Sequence, residues 1–184
     1  MENRFDTETT VATIVGSVFM ILVYMSLVMG TTVSDYVEVQ ICAIIVTVMA
    51  AIYGSAAGCL IPLISYLVVR ISYPRDGALT GMLFLIVFGV ATGHYASRFK
   101  IRKGKFRGIS LVDFAVIETV LAIIVWVCVE SLYGFYFERS DLRYALNDCV
   151  RHCGLSIAGE LCIGLPILLL ANSLYRKRQD AINA

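Results

Sequence analysis

Lysine is scarce in this sequence: the only four copies are Lys100, Lys103, Lys105 and Lys177, so nothing before residue 100 carries one. Charge is thin altogether, at 16% of residues, and the formal net charge of +1 gives no reason to expect a nucleic-acid or acidic partner. No basic segment precedes the first apolar run and no small-residue cleavage site follows it, which argues against a cleaved signal peptide. Walker A, His-Glu-x-x-His and Gly-x-Ser-x-Gly patterns are missing too, as is any paired-acid signature of a lipid-modifying enzyme. The expectation is a protein that is not an enzyme and needs no cofactor, and any ATP hydrolysis would have to come from partner subunits.

What is abundant is hydrophobic sequence, at 59% of 184 residues with a mean hydropathy of +0.80. That exceeds the apolar share of an ordinary soluble domain and indicates an integral membrane protein. Six apolar runs, at 10–29, 37–53, 56–72, 77–97, 109–137 and 154–175, predict a single all-α domain, a compact bundle of six transmembrane helices. The first run has about 20 residues, enough at ~1.5 Å per residue for a hydrocarbon core of ~30 Å. The second and third are shorter and meet head to tail at Tyr53-Gly54-Ser55-Ala56-Ala57-Gly58, where glycines permit a sharp reversal and close backbone approach.

An even number of spans puts both termini on one side, and basic residues choose that side. Arg4, the six basic residues from Arg98 to Arg107, and Arg176-Lys177-Arg178 give ten on one side, against Arg70, Arg75, Arg139, Arg143 and Arg151 on the other. The termini and the basic loop are therefore expected in the cytoplasm. The segment 138–153 is expected to be an outer loop.

Ionisable residues within spans are costly in hydrocarbon and normally face a cavity or a partner. Glu38, Gln40, Arg70, Glu130 and Glu160 fall in the expected outer half, with Tyr36, Tyr66, Tyr73, Trp126 and Tyr133 around them. Aromatic faces that stack and a few polar groups that orient suit capture of a flat, polar small molecule, so these ten are the candidate substrate-binding residues. Three acids against one span arginine point to a neutral, zwitterionic or cationic ligand. Asp113 and Glu118, five apart, project about 140° from each other on a helix and make no dyad; Glu118 needs an internal partner such as Ser or Thr. Cys42, Cys59, Cys128 and Cys162 read as small hydrophobes, while Cys149 and Cys153 flank His152 without a fourth ligand, so no metal site is expected.

The order from 37 to 98 resembles the substrate-binding S components of energy-coupling-factor (ECF) vitamin transporters, especially their riboflavin-type branch. The residues that carry the likeness are Tyr53-Gly54, then Ala56-Ala57-Gly58-Cys59-Leu60, Tyr73-Pro74, Gly89, Gly93 and Arg98. The resemblance implies a subunit of the bacterial plasma membrane that captures a vitamin or similar micronutrient from outside. Its implied partners are a transmembrane coupling (T) subunit and two ABC-type ATPase subunits. It further implies partner docking through a small-xxx-small pair on the first span, here Ala12 and Gly16, with Gly where the family pattern usually has a second Ala. The alternative is a membrane sensor or signalling module. Such a module would normally lead into a coiled coil or catalytic domain, and the sequence runs only nine residues beyond Tyr175.

Overall fold

A computed structural model describes residues 7–29, 35–72, 78–136 and 142–183. Helices account for nearly all of them: α1 (Thr7–Met29), α2 (Asp35–Tyr53), α3 (Ser55–Ser72), α4 (Ala78–Ala96), α5 (Ile109–Ala122), α6 (Ser131–Tyr136), α7 (Leu142–Gly159) and α8 (Leu165–Asn183). A π-helical segment, Ile123–Glu130, joins α5 to α6, and another, Glu160–Gly164, joins α7 to α8. The chain thus makes six continuous helical rods, with no strand among the described residues. Five stretches are long and apolar enough to cross a membrane, and Val39–Tyr53 of α2 is a shorter apolar helix.

The last rod differs from the sequence expectation. Instead of an outer loop at 138–153 followed by a span at 154–175, the chain is helical from Leu142 to Asn183. The mixed charges that suggested a loop belong to one face of an amphipathic helix, with Arg143, Asn147 and Arg151 exposed. The other face is a buried stripe, Cys149, Cys153, Ser156 and Glu160, at the spacing of helical turns.

The bundle is built around the contact between α3 and α4. Gly54, in the left-handed region at φ 91°, ends α2 with its amide bonded to the Ala50 carbonyl at 2.7 Å, so the reversal into α3 takes a single residue. Pro62, inside α3, has no N–H to donate to the Gly58 carbonyl, which leaves that oxygen free for another contact. Gly89 of α4 lies against it: a Cβ on Gly89 would strike Gly58 O, and a Cβ on Gly58 would strike Gly89 O. One turn further along, a Cβ on Gly93 would strike the backbone of Gly54 and Ser55. Glycines four apart on each helix therefore lock two backbones together without side chains between them.

On the first rod, a small and polar face, Ala12, Thr13, Gly16 and Ser17, is buried. Ser65 of α3 donates to the Ser17 carbonyl at 3.2 Å, and Ile61 and Met49 reach within 2.8 and 2.9 Å of where a Gly16 Cβ would stand. The opposite face, with Val11, Ile14, Val15, Val18, Phe19 and Leu22, is exposed and suits a lipid environment.

The connection from α4 to α5 is folded rather than loose. The side chain of Asn172 accepts from the Phe106 amide at 3.0 Å and donates to the Phe106 carbonyl at 3.1 Å. Phe106 packs edge-on against Phe99 and Phe114. Arg102 pairs with Glu8 at the start of α1 and sits over the Tyr53 ring, while the Tyr53 and Tyr175 hydroxyls meet at 3.3 Å. The start of α1, the basic loop and α8 accordingly share one end of the bundle, here called the loop end.

The glycine lock gives a direct test. Gly89→Val places atoms into the backbone of α3, which cannot swing aside as a side chain can, and should lower stability by roughly 1–3 kcal/mol or more. Gly81→Ala, with nothing within 4 Å of the new Cβ, should leave thermal unfolding in detergent close to wild type.

Candidate functional site

A column of buried polar side chains runs through the bundle along the last two rods. Nearest the end away from the basic loop, His152 Nδ1 lies 2.9 and 3.1 Å from the two Glu130 oxygens, with both side chains largely buried. One level in, the Trp126 indole N–H donates to Ser156 Oγ at 3.2 Å, and Ser156 donates to Glu160 Oε1 at 3.4 Å. Thr47 of α2 donates to the same Glu160 oxygen at 3.1 Å. Toward the loop end, Glu118 faces Glu160, Thr92 and Tyr95.

Local structure explains how these groups meet. Both π-helical segments lie on the column: Trp126 and Glu130 belong to one, and Glu160 opens the other. A π turn carries an extra residue and so offsets the faces on either side of it, which is why such turns recur where function outranks regular hydrogen bonding. On α7, Cys149, Cys153, Ser156 and Glu160 share a face by ordinary helical spacing. Aromatic rings line the column, with Trp126 against Phe84, Phe88 and His152 at centroid distances of 6.2, 6.4 and 5.8 Å, and Tyr133 edge-on to Phe84 at 6.0 Å.

Of the ten residues the sequence singles out, Trp126, Glu130 and Glu160 lie on the column and Tyr133 flanks it. Gln40 lies seven residues before Thr47, hence on the same face of α2 and two turns nearer the end away from the loop. It is 5% exposed, and neither its amide oxygen nor its nitrogen has a hydrogen-bond partner. Tyr66 is half-buried and Arg70 exposed on α3, whose main packing partners are α1, α2 and α4. The side chains of Tyr36 and Glu38, and all of Tyr73, lie outside the described residues.

One expectation needs correction, and two further placements bear on the candidates. The acids do not face Arg70 as their one base, because His152 pairs with Glu130. Glu160 is 4% exposed and accepts from Thr47 and Ser156 in the interior. The Ala12 and Gly16 face packs against Met49 and Ile61 of this chain's own α2 and α3. In each case the cause is a neighbour distant in sequence, which no single-helix argument supplies. Asp113 is exposed and stands apart from Glu118, as their spacing predicts.

Sequence reasoning missed Thr47, Thr92, Tyr95, Ser156 and His152. The available signals were weak but present: Ser156 precedes Glu160 by one turn, and Thr47 follows Gln40 by two. No group of three or more His, Cys, Asp and Glu placed to hold a metal occurs among the described residues.

Six helical rods with apolar outer faces and a polar column inside make a multi-pass membrane protein with a functional interior. The particular kind follows from the family comparison: residues 4–169 match the family described as ECF-type riboflavin transporter, S component, and the chain belongs to that family. It is a substrate-binding membrane subunit of an ECF importer, a transport subunit rather than an enzyme, and S components work with T and ATPase modules. No curated protein and no solved structure matches the chain.

Thr47→Val keeps shape and removes the donor to Glu160, leaving a buried carboxylate short of a partner. The loss should be about 1–3 kcal/mol in thermal or denaturant unfolding. Thr119→Val, which removes only a bond to the Ala115 carbonyl within its own helix, is the comparison and should cost clearly less.

Proposed function

We propose that this chain captures a vitamin or similar small micronutrient at the end of the bundle away from the basic loop, with that end facing outward and both termini in the cytoplasm. A T subunit and two ABC-type ATPases then drive its release inward. The observation that carries the reading is Gln40, an almost fully buried amide with both polar atoms unpartnered. A buried polar group normally finds a partner, and one left open in a solute-binding protein is suited to a ligand. An amide offers one acceptor and a pair of donor hydrogens side by side, which matches the donor and acceptor edge of a flat heterocycle. Trp126 and Tyr133 supply apolar and aromatic surface nearby.

The charge balance supports a neutral, zwitterionic or cationic ligand. Glu130 is hydrogen-bonded to His152 and Glu160 to hydroxyl donors, and neither arrangement offers a free positive group to an anion. Riboflavin, which the family description names, is the first compound to test, followed by a panel of vitamins and precursors in thermal-shift or native mass spectrometry on detergent-purified protein. A dianionic vitamin such as a folate should bind poorly.

Gln40→Leu separates binding from folding. Removing an unpartnered buried amide should leave the ligand-free protein as stable as wild type or more so, while affinity for the retained ligand falls by about 1–3 kcal/mol, roughly 5- to 150-fold. Equal affinity in the variant would remove Gln40 from the site.

The orientation rests on the ten-to-five split of basic residues and on the shared loop end. In a cysteine-free background, Lys103→Cys should be shielded from an impermeant thiol reagent in intact cells and Arg143→Cys should react. The reverse pattern would invert the topology.

A further inference from the structure

Glu118 and Glu160 are 2% and 4% exposed and face each other from different rods, inside a bundle that spans a membrane. Like charges at close quarters in a low-dielectric interior repel strongly, so both cannot stand ionised without a compensating charge. The ionisable groups that face the pair are each other, Tyr95 of α4 and, at Glu160, Cys153 of α7, none of which brings a positive charge. Neutral hydroxyls complete the surroundings, namely Thr47 and Ser156 on Glu160 and Thr92 beside Glu118.

The hydrogen bonding is unevenly shared. Glu160 Oε1 receives two donors, whereas both Glu118 oxygens and the Thr92 and Tyr95 hydroxyls that adjoin them fall outside hydrogen-bonding geometry. Thr92 is 0% exposed, so water from outside does not serve it as bulk solvent would. Oxygens outside hydrogen-bonding geometry thus lie together beside two carboxyl groups. Every atom left outside hydrogen-bonding geometry there is oxygen, which selects a hard cation. A divalent ion would call for more carboxylates or for carbonyls and several retained waters, whereas hydroxyls with a carboxylate suit a single charge.

We infer that the Glu118–Glu160 pair holds one small monovalent cation, a sodium ion or a proton, between α4, α5 and the second π-helical segment. Its presence is felt at the ligand site, because Glu160 is joined through Ser156 to Trp126. The inference does not depend on which micronutrient binds, since its readout is the stability of the ligand-free chain.

The test measures the unfolding temperature of the purified full-length protein in two series. One replaces choline chloride by sodium chloride at constant pH and ionic strength; the other varies pH in choline chloride alone. Wild type should gain several degrees, saturably, from sodium in the first series or from added protons in the second. A response to sodium assigns the sodium ion, and one confined to the pH series assigns the proton. Glu118→Gln should abolish that response and Thr92→Val should weaken it, while Asp113→Asn, which alters an exposed acid on the same helix, should keep it. If Glu118→Gln does not fold, Thr92→Val against Asp113→Asn carries the comparison. The inference is overturned if neither series moves wild type, or if Glu118→Gln and Thr92→Val both respond as Asp113→Asn does.

Discussion

The backbone contact between Gly58 and Gly89 is the constraint on which the rest of the structure depends. In lipid, helices gain little by hiding apolar side chains from one another, and association comes from close packing and polar contacts. Here closeness is obtained by removing side chains at Gly58, Gly89 and Gly93, and by placing Pro62 so that the Gly58 carbonyl is left for the neighbouring helix. Cα–H to carbonyl contacts of this sort are individually weak, worth about 0.5–1 kcal/mol, but they add to dispersion between backbones that nothing separates. Fixing α3 on α4 fixes α2 through the one-residue reversal at Gly54, and α1 then seals the other side of α3 with its own small residues.

Against this tight half, the last two rods are arranged differently. They meet α2 and α4 through Trp126, Thr47, Glu160 and Glu118, so polar side chains and a large indole take the place of glycines. Buried polar groups specify one register strongly when satisfied and are costly when not. The satisfied members, Ser156, Thr47 and one oxygen of Glu160, hold the rods in place. The unsatisfied ones, Gln40 and the Glu118 group, fall outside hydrogen-bonding geometry in the interior. One wall of the molecule is built for closeness and the other for chemistry.

Much of this was legible in the sequence. Apolar runs indicate six helical rods, though the last begins at Leu142 and not at 154, the glycines at 54 and 58 announce the hairpin, and the motif order from Tyr53 to Arg98 points to the right family. Gln40, Trp126, Glu130 and Glu160 were singled out because polar and amphipathic residues stand out in hydrocarbon. Three things were not legible, each for a physical reason. Residues 142–153 look like a loop because their charges were weighed as composition rather than around a helical wheel. The Ala12 and Gly16 face reads equally well as internal or intersubunit, since small residues permit a neighbour without naming it. The meeting of Glu118 with Glu160 depends on how two rods are rotated, and π turns alter that rotation where the sequence leaves no mark.

Those π turns have a consequence for how the chain can change over time. Each holds one residue more than an α-helix of the same height, so the two ends of its rod are out of phase by about 100°. Loss of one residue between Ile123 and Glu130 would restore a regular helix. It would also turn Glu130 and Tyr133 away from His152 and Phe84 while leaving Glu118 and the whole loop end where they are. The halves of the fifth rod are thus independently adjustable: a single-codon deletion or insertion could reset the recognition surface without disturbing the acid pair or the basic loop. Such a rod can diversify by length as well as by substitution.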